Sequence, residues 1–207
     1  MKKNTKIILG VIIPIVVIGA SIGGIMLYNF LQKRAIAKLE PPIIDFPVEN
    51  TDTIDIIWGY GDQGGDFHNG IDFGCNSSVS ILAWCDMTVV DVTTFLNDRN
   101  GLWQTNVFLE FNKRFTFDCA FEPGSQNETY ANLQRDAINV EVGQTIQRGE
   151  VLGELLIHRG GTHIHFGMHD QGESVCAYHY FSETAKAIFN PLWIKYGFGD
   201  DSWYDDP

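Results

Sequence analysis

From Ile54 onward the apolar positions fall in short β-branched or aromatic runs broken by turn residues, which is the pattern of strands rather than helices. The runs Ile54–Trp58, Val79–Ala83, Thr88–Thr93, Asn106–Phe111, Phe115–Phe121, Val140–Val142, Val151–Ile157 and Thr162–Met168 predict a mainly β body. Asn112-Lys113-Arg114 reads as a tight hairpin loop, and Gly143 and Gly149 stand where the chain from Val142 to Val151 must turn and return. One helix is predicted, capped by Ser182, striped by Ala185, Ile188 and Phe189, and ending at Asn190 before Pro191. No internal repeat is visible.

The N-terminal part follows a different pattern. Ile7 to Phe30 is a 24-residue run without a charge, which as a helix at ~1.5 Å per residue reaches roughly 36 Å and suffices to cross a bilayer. Ala35-Ile36-Ala37 has the small-x-small form of a signal-peptide cleavage site. The apolar run is too long for that reading, however, and Lys33 and Arg34 sit where small neutral residues are wanted, which favours an uncleaved anchor. The expected organisation is a short cytoplasmic tail at 1–6, a single-pass transmembrane helix at 7–30 and a Pro-rich spacer at 31–51. A β domain then follows at 52–180, with a helix and acidic tail at 181–207. Within the spacer, Glu40 to Asn50 carries three prolines and reads as extended chain.

Charge sharpens this division. Six of the 14 basic residues precede Leu39 and all 26 acidic residues follow it, so the remainder holds eight basic against 26 acidic residues, a net −18. An acidic body repels phosphate backbones and argues against nucleic-acid binding, leaving cations, neutral polymers and peptides as partners. Basic residues flank the apolar run on both sides and do not orient it. The four cysteines (Cys75, Cys85, Cys119, Cys176) and the triplets Asn76-Ser77-Ser78 and Asn127-Glu128-Thr129 all lie beyond the run. That placement fits a body outside the cell membrane, with Met1 to Lys6 inside. The cysteines allow three disulfide pairings or buried free thiols, and spacing does not choose between them.

Chemistry concentrates in two segments. The first is Phe67-His68-Asn69-Gly70-Ile71-Asp72-Phe73-Gly74, which offers an imidazole and a carboxylate ahead of a glycine turn. The second is Gly161-Thr162-His163-Ile164-His165-Phe166-Gly167-Met168-His169. There His163 and His165 share one strand face, opposite Ile164 and Phe166, as suits a metal held at the edge of a core.

Gly59-Tyr60, His68-x-Gly70-x-Asp72, the glycine hairpin from Val142-Gly143 to Leu152-Gly153, and His163-x-His165-Phe166 occur in that order. From about Trp58 to Met168 the chain thus resembles the lysostaphin/LytM-type zinc endopeptidases, which cut peptide bonds in bacterial wall peptides. The resemblance implies a compact antiparallel β-sheet or barrel-sandwich domain. It also implies zinc held by His68, Asp72 and His165, with His163 free to act on the water that the metal activates. Three N, O and N ligands leave a fourth tetrahedral position open, the arrangement of a hydrolytic rather than a structural site. The family's Tyr-Ala-His-Leu histidine has no counterpart. The segment aligns either with Tyr130-Ala131-Asn132-Leu133 or with Cys119-Ala120-Phe121-Glu122, placing Asn132 or Phe121 where the imidazole should be, with His158 as a substitute donor. Two functions follow: a membrane-anchored extracellular zinc metalloendopeptidase acting on peptide or peptidoglycan-like substrates, or an inactive relative that binds a peptide or glycan.

Overall fold

The computed structural model describes residues 24–158 and 160–204, which fall in two units that meet at Leu39–Glu40. Of the first unit, the described part is helix α1 over residues 24–36, where Arg34 lies over the Phe30 ring 5.7 Å from its centroid. No helix of the described residues is long and apolar enough to cross a membrane, and the expected tail at 1–6 and most of the expected anchor at 7–30 lie outside them.

The second unit is built from strands β1 (Ile54–Trp58), β2 (Gly61–Asp62), β3 (Phe67–His68), β4 (Gly70–Cys75), β5 (Val79–Leu82), β6 (Met87–Asn97) and β7 (Leu102–Glu110). These are followed by β8 (Phe115–Glu122), helix α2 (Glu128–Asp136), β9 (Thr145–Ile146), β10 (Val151–Leu155), β11 (His163–Asp170), β12 (Glu173–Ser174), helix α3 (Glu183–Tyr196) and β13 (Gly197–Phe198). The main sheet runs β13-β1-β4-β11-β8-β7-β6-β9, with β12 paired to β11; β5 with β10, and β2 with β3, form two smaller sheets. All named pairings are antiparallel except β1 with β13, so the expected mainly β, antiparallel class holds for this unit.

The core fills one face of the main sheet. Ile71 and Phe73 of β4, Phe117 and Phe121 of β8, and Ile164, Phe166 and Met168 of β11 are buried there with Trp84, whose ring meets Phe166 at 4.5 Å and Phe117 at 5.2 Å edge-on. Each such aromatic contributes both buried area and directional edge contacts. All four cysteines are buried and unpaired, and burial raises their thiol pKa values, so they serve as small core residues.

Several expectations need correction. Residues 40–50 are extended, as their prolines dictate, but are no free spacer: Ile44, Phe46 and Val48 are buried, and Ile44 and Val48 bridge to Phe181 and Ile81. Val140–Val142 is not a strand; its edge role falls to Thr145–Ile146. Helix α3 runs through Pro191 to Tyr196, because Trp193 beyond the proline stacks on Phe189 at 5.9 Å and packs on Tyr204 at 4.7 Å, offsetting the one missing backbone bond. Helix α2 was not expected; Asn127 caps it by accepting from the Thr129 backbone N–H.

Candidate metal centre

Strand register assembles the site on the sheet face opposite the core. His165 of β11 stands beside Asp72 of β4 and Ala120 of β8, while His163 stands beside Gly74 and Glu122. Because successive side chains alternate, Asp72, His163, His165, His169, Asp118 and Glu122 all point to one side. His68 reaches over from β3, and its Nδ1–H donates to the Gly59 carbonyl at 2.7 Å, which turns Nε2 inward. Gly70 is obligatory, since a Cβ there would lie 2.5 Å from the His165 ring.

Three atoms converge. His165 Nδ1 lies 2.7 Å from Asp72 Oδ1 and 3.2 Å from His68 Nε2, and His68 Nε2 lies 3.2 Å from Asp72 Oδ1. Among the described residues these three form the cluster able to hold a metal ion. Ligand bonds of ~2.0–2.1 Å at tetrahedral angles set ligand atoms about 3.3 Å apart, so a small divalent cation fits with slight opening. The donor set, two imidazoles and a carboxylate, is the chemistry zinc takes in sites that keep a coordination position open. Behind His165, Asp118 Oδ2 lies 3.8 Å from Nε2, while the other Asp118 oxygen accepts from His169 Nε2 at 2.7 Å. Asp118 and His169 thus back the ligand from outside.

Electrostatics follow from this crowding. Burial pushes the Asp72 carboxyl up, but hydrogen bonds from His165 and His68 and the nearby imidazole charge outweigh it and hold the pKa well below the carboxylate range. Burial likewise pulls His163 down, yet Glu122 and Asp72 raise it to about 9. His163 Nδ1–H donates to the Gly161 carbonyl at 2.8 Å, leaving Nε2 at 3.5 Å from Glu122 and 3.6 Å from Asp72. A bound cation adds positive charge beside His163 and lowers its proton affinity again.

The expected residues His68, Asp72, His163 and His165 are therefore together. The auxiliary ones are not. Asn132 is exposed on α2, His158 stacks on Tyr130 with ring centroids 3.4 Å apart in a separate pocket, and Phe121 is buried on the core face. Phe121 fails for a register reason: strand alternation turns it away and brings Glu122 into the site in its place. Glu122, Asp118 and His169 were not anticipated. For Asp118 and Glu122 the signal was the alternation Asp118, Ala120, Glu122 between the buried Phe117, Cys119 and Phe121, and for His169 its place on the His163 and His165 face of β11.

An antiparallel sheet carrying a His/Asp/His cluster able to hold a metal, with a further imidazole alongside, is the arrangement of a zinc-metallopeptidase-like domain. Residues 66–177 match the model of peptidase family M23, more than half of the chain, and the chain belongs to that family, as its resemblance to lysostaphin/LytM-type enzymes implied. Zinc is the metal of these peptidases and the cofactor that the donor set suits. Among solved structures the chain is similar to Csd3 of Helicobacter pylori (18% identity, 68% of this chain, 33% of that one, TM-score 0.47). It is similar also to a zinc-containing peptidase from Vibrio cholerae (19%, 67% and 40%, TM-score 0.48). A third is the catalytic domain of the antimicrobial peptidase lysostaphin from Staphylococcus simulans (18%, 59% and 87%, TM-score 0.41). The chain spans 33% and 40% of the length of the first two. No curated protein matches the sequence.

Proposed function

We propose that the body is a zinc endopeptidase that hydrolyses peptide bonds, with cell-wall peptides as its substrate class. The observation that carries this is the convergence of His68 Nε2, Asp72 Oδ1 and His165 Nδ1, with His163 Nε2 within 3.6 Å of the same aspartate but outside the triad. His68, Asp72 and His165 are the ligands; bound zinc supplies Lewis acidity and an activated water. His163 handles the proton at Nε2, its ring fixed by the Gly161 carbonyl. Glu122 holds the protonated form of that ring.

The uncharged run at 7–30, with the acidic residues and sequons all beyond it, supports a single-pass membrane anchor with the body outside. Protease added to intact cells should then digest the body; protection until lysis would reverse the orientation.

The test of the enzyme is His163→Ala in the full chain. Zinc content should stay at one equivalent by metal analysis while turnover on peptides and muropeptides falls by ~10²–10⁴. A second reading, a binding module without turnover, has one observation in its favour: the residue opposite His163 is the carboxylate Glu122, and neither Asn132 nor Phe121 brings a further donor to the site. Loss of an oxyanion donor lowers rates by ~10²–10³. Zinc-saturated wild type that binds a muropeptide and cleaves none of a broad panel would establish that second reading.

A further inference from the structure

The cleft around the metal centre has two unlike walls. On the β6–β7 side it is lined by amides: Asn97 Nδ2 donates to Gln104 Oε1 at 2.7 Å, and Gln104 Nε2 donates to Asn106 Oδ1 at 2.8 Å. On the β1 side lies a cavity of about 550 Å³ whose lining includes Ile56, Trp58 and Ile157 together with Asp72 and His163. Ile56 and Trp58 are 43% and 44% exposed on the solvent face of β1, where strand alternation otherwise places polar residues, while Ile57 between them is fully buried in the core. Register sets them next to the chemistry: Trp58 pairs with Asp72, and Ile56 with Gly74, which in turn pairs with His163. The residue at the centre of that register is glycine, and Ile56 leans over it, since a Cβ on Gly74 would collide with Ile56 Cγ2; the glycine thus lets an apolar side chain lie on the strand next to His163.

Ile56 lies over Gly74 and Trp58 meets the exposed Phe198 ring at 6.4 Å, so both stay partly exposed on the cleft side of the sheet, away from the core. We propose that this cavity is the subsite for a bulky apolar side chain, Leu- or Phe-sized, on a residue adjoining the scissile bond. The amide wall across the cleft takes the polar backbone of the same peptide. The inference rests on the endopeptidase reading above and adds the side-chain class. The β1 wall lies before residue 66, outside the segment matched by the family model, so this selectivity comes from the chain's own flank.

The test uses zinc-loaded full chain and blocked hexapeptides that differ only in one residue beside the central bond: Gly, Ala, Leu or Phe, placed on each side in turn. Both kcat/KM and calorimetric Kd are measured. On one side of the bond, Leu or Phe should exceed Gly by about tenfold to a hundredfold in both quantities. Trp58→Ala should collapse that ratio to about threefold or less, and Ile56→Ser should narrow it too, with one equivalent of zinc retained in each variant. If no peptide is cleaved yet the affinity preference persists and depends on Trp58, the endopeptidase reading fails and the subsite stands. Equal values for Gly, Leu and Phe, no measurable peptide binding, or tighter binding of an N-acetylated disaccharide without peptide would overturn the subsite.

Discussion

The two faces of β11 carry opposite chemistry on one eight-residue strand. Toward the core, Ile164, Phe166 and Met168 are fully buried among aromatic rings; toward the cleft, His163, His165 and His169 crowd against Asp72, Asp118 and Glu122. The first face removes apolar area from water and fixes the backbone. The second holds partly desolvated charges, which cost stability unless paired or bound to a cation. Stability and chemistry are thus supplied from opposite sides of the same backbone, and substitutions should separate them.

The largest effect is expected from His165→Ala, which removes a ligand and should abolish both stoichiometric zinc and turnover, with the metal-free melting curve little changed. Retained stoichiometric zinc, read by metal analysis, would remove His165 from the ligand set. Phe166→Ala, one residue away, should do the converse. A cavity left by a buried Phe costs about 3–5 kcal/mol, read by chemical denaturation, while the folded fraction still binds one zinc. Asp118→Asn should leave folding intact and weaken zinc about tenfold to a hundredfold, because it removes the outer carboxylate behind His165. An unchanged zinc Kd would show that Asp118 serves His169 alone.

The smallest effect lies at the rim. Arg114 grips Asp170 through two hydrogen bonds of 2.7 Å and holds its carboxyl below the usual range. A depressed folded-state pKa gives stability that is present above the unfolded value of about 4 and fades as pH falls below it. Asp170→Asn should therefore lower the melting temperature slightly at pH 7, by less and less as pH falls below about 4 and through the depressed value, with zinc binding at pH 7 unchanged.

Much of this arrangement was legible in sequence where alternation was clean. β1 matches the expected run, β8 and β11 do so within two residues, and Ser182 caps its helix as expected by accepting from the Ala185 N–H. β4 was hidden because its alternation of Ile71, Phe73 and Cys75 with Gly70, Asp72 and Gly74 puts glycines on the face opposite the core, where they imitate turns. Helix α2 was hidden because its apolar face is slight, with only Ala131 and Gln134 buried. His68, Asp72, His163 and His165 were legible through motif order. Glu122 and Asp118 were not, because a single acid in an apolar run acquires meaning only through the register with β11. The alternation of Ile44, Phe46 and Val48 was available, but the neighbouring prolines drew the reading toward a free spacer.

The pairing of β1 with β13 has a consequence in time. Ile57 meets Gly197, 140 positions later, and the Gly59 N–H donates to the Phe198 carbonyl at 3.1 Å. Gly59 is also the residue whose own carbonyl orients His68, and it has no room for a Cβ because the Trp193 ring and Tyr204 hydroxyl would lie within 2.9 Å. Contacts so distant in sequence close slowly. During synthesis His68 emerges early, while the Phe198 contact that braces Gly59, whose carbonyl orients it, is made only later. The orientation of His68 thus depends on a stretch of chain that is made near the end of synthesis, long after His68 itself.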